Sequence, residues 1–213
     1  MNVSMKIPSP IVCACLLFFG APPGLFAEGD TFVETKPRPE LIDELRQGGF
    51  VLYMRHGRTD SSIPDQVPID IDDCGTQRPL TDEGREEIRR IGEWMRKAGI
   101  PCQEVFCSPL CRARESARLA FSEIYRVEDK LMYTAHLTST EKIPVVAKTR
   151  ELISRPVEPG RNRILVAHAP NLADLMGYFP ETEGTVAVFR PLGDGRFQYL
   201  ASILPGHWEH LVP

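Results

Sequence analysis

The chain has 213 residues, of which 42% are hydrophobic and 25% charged, with a net charge of −4 at neutral pH. That length is enough for one domain plus a short extra segment, with a core that needs no metal to hold it. The acidic balance excludes a broadly basic surface for nucleic acid or anionic lipid, so any cationic site must be local.

The N-terminus has the pattern of a secretory leader. Lys6 is the one charge before Glu28, an apolar run spans Ile11 to Phe19, and small residues and prolines fill the stretch up to Ala27. The run is too short to cross a bilayer comfortably, which predicts a signal peptide over 1–27, no stable membrane span after its removal, and a periplasmic or secreted location. An uncleaved anchor is the alternative. Residues 28–38 are polar and proline-containing and are expected to be a tether, with the domain proper over 39–213.

From there, apolar spacing sets the elements. Pro39 to Arg46 reads as a short helix stopped by Gly48 and Gly49. Phe50 to Met54 is a continuous apolar run, as expected for a strand buried on both faces. Residues 60–79 are irregular and acidic. Thr81 is placed to cap a helix running to about Lys97, whose Ile88, Ile91, Met95 and Ala98 fall on one stripe. Val105 to Cys107 is a second strand, and 111–121 a second amphipathic helix. A further helix is expected within 138–153, interrupted at Pro144. Ile164 to Ala167 is a third buried strand, and a helix begins at Leu172. Val186 to Phe189 and Phe197 to Ile203 are late strands joined at Asp194-Gly195. Strands alternating with helices predict an α/β domain: three layers, with a mostly parallel central sheet flanked by helices.

Polar residues that a structural role does not require follow three of these strands: Arg55-His56-Gly57-Arg58-Thr59, Ser108 to Ala113, and His168. Ligand sites in open α/β sheets form beyond the carboxyl ends of strands, so the three segments should converge. Arg55 and Arg112 carry planar donor forks suited to phosphate oxygens. A helix opening near Cys111 would add backbone donors. A neutral imidazole beside such a site can attack phosphorus, and a second histidine can donate to a phosphate oxygen. Gly57 is expected to let the backbone approach the ligand. No cysteine–histidine spacing resembles a metal site, and no cofactor is implied.

Arg-His-Gly-x-Thr at 55–59, Leu80-Thr81-x-x-Gly84-Arg85, Ser-Pro-Leu-x-Arg-Ala at 108–113 and the strand-ending His168 resemble the histidine phosphatase superfamily, with its phosphoglycerate-mutase-like fold. Cys74-x-Thr76-Gln77-Arg78-x-Leu80 and His168-Ala169-Pro170-Asn171-Leu172 resemble an exported branch of it. The resemblance implies hydrolysis of phosphate monoesters through a phosphohistidine on His56. Arg55, Arg112, His168, Gly57 and Thr59 would line the phosphate pocket. The substrate would be a phosphorylated small molecule or an envelope phosphosugar. A non-catalytic anion-binding module and a phosphomutase are the competing readings. The acids that relatives place near the second histidine and after the second helix are absent, since Ala169 and Leu131-Met132-Tyr133 stand there. A proton donor is therefore sought elsewhere, with Glu183 preferred to Asp60.

Four cysteines remain beyond the leader, Cys74, Cys102, Cys107 and Cys111, and four allow three pairings. At least one disulfide is expected, with Cys74–Cys111 favoured because both lie in segments flanking the pocket.

Overall fold

The computed structural model describes Met1 and residues 32–212. Apart from Met1, the expected leader lies outside the described residues. The elements are α1 (Leu41–Gln47), β1 (Val51–Arg55), α2 (Asp82–Lys97), β2 (Cys102–Cys107), α3 (Cys111–Phe121), β3 (Tyr125–Val127), α4 (Ser139–Ser154), β4 (Asn162–Ala167), α5 (Ala169–Met176), β5 (Val186–Gly193), β6 (Arg196–Ile203) and α6 (Trp208–Leu211). The six strands form one mixed sheet in the order β3-β2-β4-β1-β5-β6. Pairing is parallel from β3 through β1, and antiparallel from β1 to β5 and from β5 to β6.

The sheet sits between two apolar layers because β1 alternates. Leu52 and Met54 pack with α1, α2, α3 and α6 through Leu45, Ile88, Ile91, Ala117 and Trp208. Val51 and Tyr53 face α4 and α5 through Leu152, Ile153 and Leu172. Burial on both faces is why β1 and β4 read as unbroken apolar runs.

Three expectations shift. The short strand β3 was not predicted; its exposed Tyr-Arg-Val run carries little apolar signal. Helix α4 runs straight through Pro144. The proline removes the bond to the Thr140 carbonyl, one turn from an exposed N-terminus where water can replace it. Part of the expected tether rests on the domain: Phe32 stacks on Tyr178, and the Thr35 carbonyl accepts from Ser202 N at 2.9 Å.

Candidate active site

The ends of β1, β2 and β4 bring their polar residues together. In the parallel register Arg55 lies beside Ala167, and Cys107 beside Val166. His56, Ser108 and His168 each begin one residue past a strand. The Tyr53 hydroxyl, on β1, donates to the His168 carbonyl at 2.8 Å and accepts from His168 N at 3.1 Å, which fixes one histidine's backbone against the other's strand.

The two imidazoles stand with ring centres 5.3 Å apart, and both are buried. His56 Nδ1 lies 2.9 Å from the Gly57 carbonyl, an acceptor only, so Nδ1 carries the hydrogen and Nε2 keeps its lone pair. His168 Nε2 lies 2.7 Å from Ser108 Oγ, which also accepts from Leu110 N at 3.3 Å. With the serine hydrogen donated to Nε2, His168 presents an N–H at Nδ1, an atom that is buried and without a partner among the described residues. Burial first, and then the positive Arg112, hold both histidines well below their ordinary pKa. Each is therefore neutral near pH 7.

Arg112 lies wholly inside, with its ring-facing side 5.2 Å from the centre of Tyr133. Its Nη1 donates to Asp65 Oδ1 at 2.9 Å, while Nε and Nη2 are buried with no partner among the described residues. Those two atoms form the side-on fork that grips an oxyanion in two places. Asp65 also accepts from Arg78 N at 2.8 Å and so ties the acidic loop to the pocket. Arg55 donates from Nη1 to the carbonyls of Pro180 and Glu181, at 2.8 and 2.6 Å, and from Nη2 to Glu183 at 3.3 Å; its Nε is buried and unpartnered among the described residues. Burial pushes both guanidinium pKa values down, opposed by Glu183 at Arg55 and by Asp65 at Arg112.

Glu183 and Thr59 meet at the other side of His56. Thr59 Oγ1 and N donate to the two Glu183 oxygens at 2.7 and 3.0 Å, and Glu183 Oε1 lies 3.8 Å from His56 Nδ1. Thr59 is thus turned toward Glu183. Asp60 accepts from Ser62 N and Oγ and closes a turn. Gly57 is small for a packing reason: a Cβ there would sit 2.6 Å from Ile88 Cγ1, and one on Gly84 would sit 2.3 Å from the Arg58 carbonyl. The pair lets α2 press against the His56 loop.

The opening of α3 differs from expectation as well. Its first N–H, of Cys111, is taken by Gln77 Oε1 at 2.8 Å, so that donor serves the loop. Cys74 and Cys111 form a disulfide, which ties the same loop to α3. Cys107 is buried and free, and Cys102 is free.

Residues 51–132 match the model of the histidine phosphatase superfamily, branch 1. Over that segment, which is less than half of its length, the chain is similar to the histidine phosphatase superfamily. Its fold is also that of a solved protein histidine phosphatase, SixA in complex with tungstate, at TM-score 0.51 and 18% identity, over 74% of this chain and 98% of that one. YhfR of Bacillus stearothermophilus aligns at TM-score 0.52 and 14% identity, over 71% and 95%. The mitochondrial serine/threonine-protein phosphatase Pgam5 of Drosophila virilis is 28% identical over 94 residues. That match spans 44% of this chain and 29% of the length of the Pgam5 protein.

Sequence reasoning missed two polar residues at the pocket, Asp65 and Arg78. Arg78 has a buried Nε with no partner among the described residues, and it adds to the field on both histidines and both pocket arginines. The Cys74–Leu80 motif contains it, but only the folded loop brings it to the site.

Proposed function

We propose that this protein is an exported phosphomonoesterase that works through a phosphohistidine on His56. One observation carries the reading: a neutral imidazole with its Nδ1 committed to the Gly57 carbonyl stands among unpartnered donors of Arg55, Arg112 and His168. A phosphate monoester supplies the acceptors that those donors lack. Nε2 of His56 attacks phosphorus, the ester P–O bond breaks, and the departing oxygen takes a proton from solvent water. A second water then attacks phosphorus and gives a proton back to solvent, the P–N bond breaks, and inorganic phosphate leaves with the imidazole neutral again. Arg55, Arg112 and His168 Nδ1–H balance the charge on the transferring group. Glu183, with three donors on its two oxygens, holds Arg55 and the Thr59 loop in place. Donation of the proton by Glu183 would require giving up one of those bonds.

The leader pattern and the Cys74–Cys111 bridge support export to an oxidising compartment, the periplasm or the outside. A phosphorylated small molecule or an envelope phosphosugar fits such a location. The test is chemical. Brief mixing with labelled substrate should leave an acid-labile label on His56, and His56→Ala should abolish both label and turnover. Normal turnover by His56→Ala would overturn the mechanism; substrate held without turnover would favour an anion-binding module.

A further inference from the structure

Beside the phosphate pocket lies a cleft of about 400 Å³. Five arginines line it, Arg78, Arg85, Arg112, Arg114 and Arg118, against one acid, Glu115. That concentration of positive charge stands out on a chain whose net charge is −4. Two of the five are matched internally. Arg85 bonds Glu115 at 2.7 Å and Asp82 at 2.9 Å, and Arg112 bonds Asp65. Arg78, Arg114 and Arg118 have no ion pair among the described residues. Arg78 has in addition the buried Nε that finds no acceptor.

The cleft has built walls. Cys111, Arg114, Glu115 and Arg118 share one face of α3 at helical spacing. The Cys74–Cys111 bridge holds the Arg78 segment against that face, and Tyr125 also lines the cleft. Like charges gathered in a concave site raise the local concentration of anions, and guanidinium forks match phosphate and carboxylate. Arg112 belongs to both the pocket and the cleft. At 1.5 Å per residue, Arg118 stands about 9 Å further along the helix. We infer that the cleft is a second anion subsite, so the substrates are phosphate esters that carry a further anionic group on the leaving portion. This deepens the phosphatase reading and rests on it for catalysis, while its binding component stands alone.

The experiment separates the two. In the full-length His56→Ala protein, titration calorimetry compares hexanediol bisphosphate with hexyl phosphate. The bisphosphate should bind about tenfold more tightly at low salt, and high salt should erode that preference. Adding Arg114→Gln and Arg118→Gln, both exposed and outside the phosphate pocket, should remove most of the preference and leave hexyl phosphate within twofold. In the otherwise native protein the same pair should leave p-nitrophenyl phosphate turnover unchanged. Equal affinity for the two ligands, or a preference that survives the double substitution, overturns the subsite. Absence of any turnover in the native protein would strike the hydrolase reading instead, with the binding comparison still deciding the subsite.

Discussion

Mild acid should destabilise this fold through the two pocket histidines. His56 and His168 are buried, and both are held well below the ordinary histidine pKa. In the unfolded chain each takes up a proton near pH 6.5. The unfolded state therefore binds more protons, and stability falls as pH drops below about 6.5. A fully protonated unfolded histidine that stays neutral in the fold contributes about 1.4 kcal/mol per pH unit. Between pH 6 and 5 an ordinary histidine goes from about three-quarters to nearly fully protonated, which gives about 1.2 kcal/mol each and about 2.4 kcal/mol for the pair. For a domain of this size that is a fall in Tm of about 5–10 °C. Urea unfolding at the two pH values measures it. His168→Asn should cut the pH dependence by about half, whatever it does to absolute stability. Inorganic phosphate should flatten the dependence, because a bound anion favours the protonated imidazole. A wild-type change under about 0.5 kcal/mol, or an undiminished change in His168→Asn, would contradict the uptake of protons by these histidines on unfolding.

Three other outcomes follow from named contacts. Replacing both Cys74 and Cys111 by Ser opens a link between residues 37 apart in sequence and should cost about 4 kcal/mol on the loop-entropy scale, read by urea unfolding; the parent protein in reductant should match the variant. Gly84→Ala forces a methyl to within 2.3 Å of the Arg58 carbonyl and should cost about 1–3 kcal/mol, with loss of turnover as the His56 loop shifts; unchanged stability and turnover would contradict the close approach. Glu183→Gln should lower kcat at least about tenfold on both alkyl phosphates and p-nitrophenyl phosphate, since it loosens Arg55 and Thr59 together. Sparing of the aryl ester alone would return proton donation to Glu183, because that leaving group hardly needs a proton.

Much of the candidate site's placement is legible because its polar residues sit at strand ends, and strand ends are written in sequence. The apolar runs before Arg55 and His168 and the helix cap at Thr81 depend on neighbours a few residues away, so periodicity and capping rules find them. The disulfide pairing was favoured for the same reason: Cys74 and Cys111 lie in segments already expected at the pocket. What the sequence could not supply are partners across long separations. Asp65 reaches Arg112 from 47 residues away, and Glu183 reaches Thr59 from 124. No periodic signal marks either contact, because residues 60–79 and 180–185 are irregular and find their places only against the finished sheet. Gly57 and Thr59 show the limit from the other side. The motif named them for the phosphate, but packing gave Gly57 to α2 and hydrogen bonding gave Thr59 to Glu183. Local sequence is enough to place His56, Ser108 and His168 at the mouth of the sheet. Which donors around them are spent on the protein, and which stay open among the described residues, is settled by folding, because that depends on acceptors the chain brings in from far away.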